Sequence, residues 1–259
     1  MSFNEPIKEW TGRRVWVIGA SSGIGAAFAR ALLDRGARVA LSARSRDTLA
    51  RLAESGRPGQ VLSLPLDVTR EAELSTALAS IQSAWSGLDL VVLLAGNHVP
   101  VRAWDLTATK ARDLVETNLM GVLNALAVVT PVLLNAGRGG VAVVSSVAGY
   151  SGLPTGLIYG ATKAALINLT ETLYLDLAPR GIGVYLVNPG FVRTPLTDRN
   201  TFSMPALISP EEAARQMLRG MERGEFEIHF PKRFTRWLKF LRLLPYRLYF
   251  PIVHKFTGL

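Results

Sequence analysis

The sequence predicts an α/β fold, a doubly wound parallel sheet of about seven strands with helices on both faces, followed by a basic helical tail. Apolar runs of strand length alternate with longer helical patterns along most of the 259 residues, which is typical of repeated βαβ units. The strand runs are continuously apolar, as expected for a sheet covered on both faces. Right-handed crossovers then place helices on both sides of the sheet. We expect a single domain over residues 1–231 and a tail over 232–259.

The alternation can be followed element by element. The predicted strands cover residues 14–20, 38–43, 61–67, 88–96, 140–146, 182–190 and the short run 225–230. The predicted helices cover residues 23–34, 46–54, 71–85, 107–135, 159–178 and 210–223. An irregular segment, 194–209, follows the carboxyl end of a strand, where open α/β sheets bind ligands. We therefore expect a lid over 194–209.

The composition excludes several classes of protein and of functional site. It is 49% hydrophobic and 19% charged, which excludes a disordered or low-complexity chain. There is no cysteine and the three histidines are scattered, so we expect no metal site and a reducing, cytoplasmic location. Two uncharged stretches, 117–137 and 139–162, approach the length of a membrane span, but both contain Asn, Pro, Ser or several Gly. We assign them to buried α/β elements.

The positive charge is concentrated at one end of the chain. The formal net charge is +9, and residues 232–259 contain seven Lys or Arg and no Asp or Glu, which leaves +2 for residues 1–231. A nucleic-acid-binding domain carries its basic residues on one binding face or stripe of the fold. Because the charge here belongs to the tail, we expect no nucleic-acid partner.

A glycine-rich turn, GASSGIG, lies directly between the first predicted strand and the first predicted helix. Glycines there permit a tight turn and a close approach of the backbone to a pyrophosphate, and the helix N-terminus presents free N–H groups to it. The strand before and the helix after favour a Rossmann-like dinucleotide site over a merely structural turn. The cofactor-binding residues predicted from this turn are Gly19, Ser21, Ser22, Gly23, Ile24 and Gly25.

The end of the second strand bears on the choice of cofactor. A site that prefers NAD usually has an acidic residue there, whereas this chain has Ala43 followed by Arg44. A guanidinium can bind a 2′-phosphate through several donors, so we expect NADP (NADPH) rather than NAD; the alternative is an ordinary exposed arginine. After the third strand, Asp67 with the adjoining Val68 is expected beside the adenine, although Asp67 or Thr69 would also suit a helix N-cap.

Tyr159 and Lys163 are four residues apart in a predicted helix, which puts both side chains on one helical face. A phenol with a pKa near 10 is a poor proton donor or acceptor at neutral pH, but a nearby ammonium and an oxidised nicotinamide favour its phenolate. The pair can therefore form an acid/base centre. Without further support, such a spacing more often belongs to an ordinary helix surface.

Further residues give that support. In chain order, GASSGIG, Asn118, Ser146 thirteen residues before the tyrosine, YGATK and NPGFVRT (188–194) resemble the short-chain dehydrogenase/reductase family, and the likeness covers roughly residues 10–230. The resemblance implies an oxidoreductase of the Rossmann-like fold that uses a nicotinamide cofactor. It also implies four catalytic residues, which are Asn118, Ser146, Tyr159 and Lys163.

The resemblance assigns a role to each catalytic residue. Tyr159 transfers a proton to or from the substrate oxygen while a hydride passes between the substrate carbon and the nicotinamide. Ser146 hydrogen-bonds the substrate oxygen as charge develops on it. Lys163 lowers the pKa of Tyr159 and holds the nicotinamide ribose, and Asn118 anchors a water chain. Ser145 is the rival for the serine role, but the spacing favours Ser146, and strand alternation sends the two side chains to opposite faces.

The same resemblance supplies the rest of the cofactor site. The remaining implied residues are Ala95, Gly96, Pro189, Gly190, Val192 and Thr194. Of these, the backbone around 189–192 and the threonine hydroxyl are implied to hold the nicotinamide carboxamide. The chain also departs from the family: Leu93 and Leu94 stand where two asparagines are usual, and Ile18 where threonine is usual. We expect these changes to affect local stability rather than hydride chemistry.

The tail combines apolar and basic residues at helical spacing. One predicted stripe consists of Phe234, Trp237, Leu238, Leu241 and Leu244, and cations border it. An apolar face with cationic flanks and no acids is typical of a helix lying on anionic lipid, so we expect peripheral contact with the inner face of a membrane. The alternative is that the stripe packs on the protein's own core or on a second subunit.

Together these observations predict an NADP(H)-dependent oxidoreductase that interconverts a carbonyl and a secondary alcohol. Membrane contact would favour a lipophilic substrate, and we expect a homo-oligomer. The alternative from another class is a catalytically idle NADP-binding or scaffolding protein on the same fold. The complete set of four catalytic residues favours the enzyme.

Overall fold

One parallel sheet organises the chain. The structure, a computed structural model, describes residues 2–199 and 204–258. The strands are β1 (Arg14–Ile18), β2 (Arg38–Ser42), β3 (Val61–Ser63), β4 (Leu90–Leu93), β5 (Gly140–Val144), β6 (Gly183–Pro189) and β7 (Glu227–Phe230). They lie in the order β3-β2-β1-β4-β5-β6-β7, and each neighbouring pair is parallel. The order reverses between β1 and β4, so the predicted doubly wound, Rossmann-like sheet is confirmed.

Helices cover both faces of the sheet. They are α1 (Gly23–Asp34), α2 (Arg46–Ala53), α3 (Glu71–Trp85), α4 (Ala108–Val115), α5 (Gly121–Ala136), α6 (Leu157–Leu177), α7 (Pro210–Glu222), α8 (Lys232–Arg242) and α9 (Tyr246–Thr257). A π-helical turn, Glu116–Met120, joins α4 to α5. Helix α6, which contains Tyr159 and Lys163, begins at Leu157, two residues earlier than the sequence predicts.

Alternating side chains divide the core into two layers. Val15 and Val17 of β1 face α1 and α7, whereas Trp16 and Ile18 face α3, α5 and α6. All four are buried, and the indole N–H of Trp16 donates to the hydroxyl of Ser42 at 2.9 Å. The continuously apolar strands are therefore explained by burial of both faces.

The long helix that contains α4 and α5 is strongly apolar. Within the described ranges it is the one helix, Ala108–Ala136, that is long and apolar enough to cross a membrane. Val122, Val129 and Leu133 of this helix are buried in the core layer against the sheet. A core helix meets the same criterion of length and composition, and 33% of the most apolar window of this helix is buried.

The tail forms two helices that pack against the domain. Phe234 and Leu238 pack on a cluster around Val147, Tyr150, Ile167 and Leu186, and Leu241 is also buried. The prediction that these three residues face lipid is therefore wrong, because the protein's own core covers them. Trp237 remains 45% exposed. Residue 259, the end of the predicted tail, lies outside the described residues.

Candidate active site

A cleft of about 530 Å³ lies at the carboxyl ends of the central strands, where the strand order reverses. Every catalytic and cofactor-binding residue predicted from the sequence lines this cleft except Asn118. The turn after β1 forms one end of the cleft, and helix α6 borders it together with the loops after β5 and β6. The geometry therefore brings the two predicted groups of residues into one site.

The glycine-rich turn touches the end of β4 backbone to backbone. Gly19 has a φ of +103°, and a Cβ atom there would lie 2.6 Å from the amide nitrogen of Ala95. A Cβ atom on Gly25 would collide with the carbonyl oxygen of Gly19. Ser22 occupies the N-cap of α1 and makes no side-chain capping hydrogen bond. The first N–H groups of α1 therefore receive no cap from Ser22, and this arrangement suits a pyrophosphate.

Arg44 and Asp67 lie at the end of the cleft where the sequence predicts the adenine. Arg44 is exposed, lines the cleft, and has neither hydrogen bond nor salt bridge to any residue that the structure describes. Asp67 Oδ1 accepts hydrogen bonds from the N–H of Thr69 at 3.0 Å and from its hydroxyl at 2.8 Å. The backbone bond from Thr69 lowers the pKa of Asp67, and the charge of Arg44 contributes. The N-cap of α3 is Arg70, so the alternative of an N-cap at Asp67 or Thr69 is wrong.

The tyrosine and lysine of α6 form a buried pair. The ammonium of Lys163 donates to the carbonyl of Val144 at 3.0 Å and lies 5.7 Å from the ring centroid of Tyr159. Burial lowers the pKa of Lys163 to about 8. Burial also raises the pKa of Tyr159, while a hydrogen bond with Ser146 acts in the opposite direction. Among the described residues no carboxylate forms a salt bridge with Lys163, so its charge is available to a ligand.

The two neighbouring serines after β5 have different partners. The hydroxyl of Ser145 is buried and donates to the carbonyl of Lys163 at 2.7 Å. The hydroxyl of Ser146 accepts from the N–H of Ala148 at 3.1 Å and bonds to Tyr159. Because this bond lowers the pKa of Tyr159, Ser146 is its donor, and the hydroxyl proton points toward the phenol oxygen. The geometry assigns Ser145 to structure and Ser146 to the site.

Asn118 lies behind the cleft, within the π-helical turn. It is fully buried, its Oδ1 accepts from the N–H of Asn97 at 2.7 Å, and its Nδ2 donates to the carbonyl of Asn97 at 2.9 Å. A further contact joins Nδ2 to the hydroxyl of Thr162 at 3.3 Å. A Cβ atom on Gly96 would touch both Asn118 and Lys163. Asn118 therefore holds the chain after β4 against α6.

Comparison with known proteins decides the family. The family model described as short chain dehydrogenase matches residues 13–203. The chain belongs to the short-chain dehydrogenase family. An uncharacterized oxidoreductase of Myxococcus xanthus is 34% identical over 92% of this chain and 94% of its own. An uncharacterized oxidoreductase of Staphylococcus haemolyticus is 32% identical over 80% of this chain and 89% of its own.

Two solved structures resemble this short-chain dehydrogenase closely in fold. A short-chain dehydrogenase from Sphingobium yanoikuyae in complex with NADPH has a TM-score of 0.78 and 30% identity, and the match covers 87% of this chain and 91% of that one. A short-chain dehydrogenase/reductase from Burkholderia phymatum in complex with NAD has a TM-score of 0.78 and 25% identity, covering 89% and 93%. The two relatives bind different nicotinamide cofactors.

Sequence reasoning missed several residues of the site in this short-chain dehydrogenase. His98 packs edge-on against Tyr159, with ring centroids 4.7 Å apart. The hydroxyl of Thr197 donates to the carbonyl of Val192 at 2.7 Å and accepts from the N–H of Thr194 at 2.9 Å, and Thr197 lines the cleft. The short sequence distances from Gly96 to His98 and from Thr194 to Thr197 are the signals that could have found them.

The segment predicted as a lid is tied down at its base. The N–H of Arg193 donates to the carbonyl of Ile208 at 2.9 Å, and the N–H of Ile208 donates to the carbonyl of Phe191 at 3.1 Å. Residues 194–197 line the cleft. The remainder of the predicted lid includes residues 200–203, which lie outside the described residues. The lid over 194–209 therefore stays a prediction.

A second polar cluster links the tail of this short-chain dehydrogenase to the sheet. Glu227 accepts hydrogen bonds from the hydroxyl of Tyr150 at 2.7 Å and from the amide of Asn188 at 2.9 Å, and it pairs with Lys239 of α8. Burial alone would raise the pKa of Glu227, but these bonds, led by that of Lys239, hold it below its usual value. Lys239 lies 5.8 Å from the ring centroid of Tyr150. Lys239 thus neutralises the negative charge of Glu227, while the side-chain oxygen of Asn188 stays buried without a hydrogen-bond partner among the described residues.

Proposed function

We propose that this protein is an NADP(H)-dependent oxidoreductase that interconverts a carbonyl and a secondary alcohol. The observation that carries the proposal is the placement of Tyr159 beside both Ser146 and the ammonium of Lys163 in the cleft. An idle dinucleotide-binding or scaffolding protein has no need of a buried, unpaired ammonium beside a tyrosine, because burying an unpaired charge costs stability. The enzyme is therefore favoured.

A nicotinamide dinucleotide fits the residues of the cleft. The close backbone approach at Gly19 and the uncapped start of α1 suit its pyrophosphate, and Lys163 would hold its ribose hydroxyls. When bound, the cofactor supplies or accepts the hydride. Similar structures bind NADPH or NAD, which supports the cofactor class without deciding between the two. The cleft-lining Arg44, unpaired among the described residues, favours NADP.

The side chains account for the movement of the proton. In the reducing direction Tyr159 donates its proton to the substrate oxygen while Ser146 donates a hydrogen bond to the same oxygen. Burial raises the pKa of Tyr159, so the hydroxyl keeps its proton until the substrate oxygen becomes basic. The ammonium of Lys163 then stabilises the phenolate. In the oxidising direction the same groups act in reverse.

We propose a lipophilic substrate because apolar side chains surround the loop before Tyr159. The N–H of Val101 donates to the carbonyl of Thr155 at 2.9 Å, which brings residues 101–106 beside the loop. Trp104, Leu106 and Leu157 are exposed there. Such side chains suit an apolar ligand better than a sugar or a charged metabolite. The homo-oligomer and the cytoplasmic location stay predictions.

Cofactor choice is tested by a pair of neighbouring arginines. Arg44→Ala should weaken NADPH binding by about 1.5–3 kcal/mol, roughly 10- to 100-fold, and leave NADH binding nearly unchanged, because only NADPH carries the 2′-phosphate. Arg46 is exposed at the start of α2 and does not line the cleft, so Arg46→Ala is the matched control. Fluorescence titration measures both cofactors. Equal weakening of NADPH and NADH would contradict the proposal.

The reaction class is tested by following NADPH oxidation with ketones and aldehydes of increasing chain length. We expect kcat/KM to rise with chain length, because each added methylene that enters an apolar site contributes about 0.8 kcal/mol. A preference for short polar carbonyls would contradict the lipophilic substrate and leave the oxidoreductase assignment intact. No oxidation with any carbonyl, and no NADP reduction with the corresponding alcohols, would contradict the reaction itself.

A further inference from the structure

The two tail helices carry many exposed large apolar side chains. Half of the large apolar side chains that are exposed among the described residues lie on α8, on α9 or in the short link between them. We call this surface the tail face; it comprises Trp237, Phe240, Leu243, Tyr246, Phe250 and Phe256. Leu243 is 80% exposed and Phe256 is 73% exposed. Contiguous apolar surface of this kind marks an interaction site.

The aromatic rings of the tail face are ordered by contacts with one another. Trp237 stacks on Phe240 with centroids 5.7 Å apart and meets Phe256 edge-on at 6.4 Å, which joins α8 to α9. Tyr246 stacks on Phe250 at 5.3 Å. The two helices thus present their rings together rather than as isolated side chains.

The charges around the tail face define the partner. The exposed cations of the tail that form no salt bridge with any described residue are Arg233, Arg236, Arg242, Arg247 and Lys255. The other two tail lysines pair with Glu225 and Glu227 of the domain. Residues 232–259 contain no acid. A partner that covers this surface must therefore be apolar and negatively charged at once.

A second copy of the chain does not meet that requirement. A two-fold interface places the same patch of both subunits against itself. Here it would bring the unpaired cations of each copy together, and like charges oppose such an association. An anionic bilayer meets the requirement, because aromatic rings settle at the level of the headgroups while Arg and Lys reach the phosphates.

The two tail helices contact two loops next to the cleft. The hydroxyl of Tyr249 in α9 donates to the carbonyl of Gly152 at 2.6 Å, within the loop before the catalytic tyrosine. Phe234 of α8 lies 5.6 Å from the ring of Phe191 and covers Gly190, in the loop after β6. Both loops adjoin residues that line the cleft, so a surface bound by the tail lies near the cleft.

We propose that the tail face docks the protein on the headgroup region of an anionic lipid bilayer, with its rings at the interface and its unpaired cations on lipid phosphates. Of the stripe predicted from the sequence, only Trp237 belongs to the docking surface, because Phe234, Leu238 and Leu241 pack on the core. The docking rests on the tail alone and does not depend on the proposed oxidoreductase activity. It does supply a source for a lipophilic substrate.

The test uses the full-length protein and vesicles of phosphatidylcholine with and without phosphatidylglycerol. The protein should sediment with the anionic vesicles and remain in solution with the neutral ones. Raising the salt from about 0.1 M to about 1 M should release it, because the screening length falls from about 10 Å to about 3 Å. Binding that is equal for both vesicles, or that ignores salt, would overturn the proposal, as would no binding to either.

Matched variants locate the surface. Arg233→Gln and Arg236→Gln should each weaken binding to anionic vesicles about fivefold, whereas Arg30→Gln and Arg51→Gln, on exposed positions of α1 and α2, should not. Leu243→Ser should also weaken binding, and Leu175→Ser, at a position that is 74% exposed on α6, is its control. Thermal unfolding checks that each variant folds. Equal effects of tail and control variants would overturn the assignment.

Self-association is measured in the same variants by light scattering in the absence of lipid. If Leu243→Ser dissociates an oligomer and leaves vesicle binding unchanged, a second copy covers the tail face and the lipid proposal is overturned. If the variant loses vesicle binding and keeps its oligomeric state, the proposal holds. NADPH turnover in detergent-free buffer should be unchanged in either case, because none of these residues lines the cleft.

Discussion

Two tyrosine–lysine pairs of this protein have almost the same geometry and opposite surroundings. Lys163 lies 5.7 Å from the ring centroid of Tyr159, and Lys239 lies 5.8 Å from that of Tyr150. The second pair shares a carboxylate, Glu227, which accepts from Tyr150 and pairs with Lys239. The first pair has a neutral serine and a backbone carbonyl instead. The carboxylate is the difference between a structural pair and the pair that we propose to be reactive.

The difference appears in the direction of each pKa. Burial raises the pKa of Tyr150 and the charge of Glu227 raises it further, so this phenol cannot exchange a proton near neutral pH. Burial raises the pKa of Tyr159 as well, but no described carboxylate adds to it, and Ser146 acts to lower it. A bound cation or an approaching substrate can therefore shift the titration of Tyr159 into the working range.

The largest expected effect is on turnover. Tyr159→Phe should lower kcat by about 10³-fold or more, since it removes the transferred proton, and should change NADPH affinity only a few-fold. Steady-state rates and a binding titration measure the two quantities. Tyr150→Phe is the matched control, because the same atom is removed from the other pair and kcat should stay within a few-fold. A comparable loss of kcat in both variants would break the distinction between the pairs.

The next effect is on stability. Lys239→Met leaves Glu227 without its cation and should lower the free energy of unfolding by about 2 kcal/mol, a figure reduced because Lys239 is more than a third exposed. Urea unfolding measures it. Adding Glu227→Gln should restore part of the lost free energy of unfolding, because it removes the buried, unpaired negative charge. Lys239→Met without any loss would show that Glu227 is neutralised by another group.

The smallest effect separates the pairs by pH. Because burial depresses the pKa of Lys163 from 10.5 to about 8, the unfolded chain binds more protons than the folded chain between these values. The free energy of unfolding without cofactor should therefore rise with pH, by about 1 kcal/mol between about pH 8 and pH 9. Lys163→Met should remove this rise, and the exposed Lys110→Met should keep it. A rise that persists in Lys163→Met would assign the titration to another residue.

The sequence predicts the sheet and the cofactor turn well because both depend on local chemistry. Continuous apolar runs predict buried parallel strands without knowledge of distant contacts. Gly19 is required because the turn lies against the backbone of Ala95. Tyr159 and Lys163 fall on one helical face by spacing alone. The placement of these residues in one cleft then follows from the parallel topology, since the carboxyl ends of the strands share an edge.

The remaining features depend on contacts between distant residues. Asn118 lies behind the cleft because a π-helical turn changes the helix register there, and no spacing in the sequence predicts such a turn. The pairing of Glu227 with Tyr150 spans 77 positions. In α8 the apolar residues point in two directions, and only the position of the domain decides that Phe234 is covered while Trp237 is exposed.

The hydrogen bond from Tyr249 to Gly152 links α9 thermodynamically to the loop before Tyr159. A ligand that binds one conformation of α9 more tightly also shifts the conformational equilibrium of the loop. A ligand of the loop must change the affinity for the ligand of α9 by the same factor. With the tail docked on a bilayer as we propose, occupancy of the cleft and attachment of the tail are two ligand equilibria with a common coupling free energy. A substrate analogue that tightens the loop would strengthen attachment in the same proportion in which attachment strengthens its own binding.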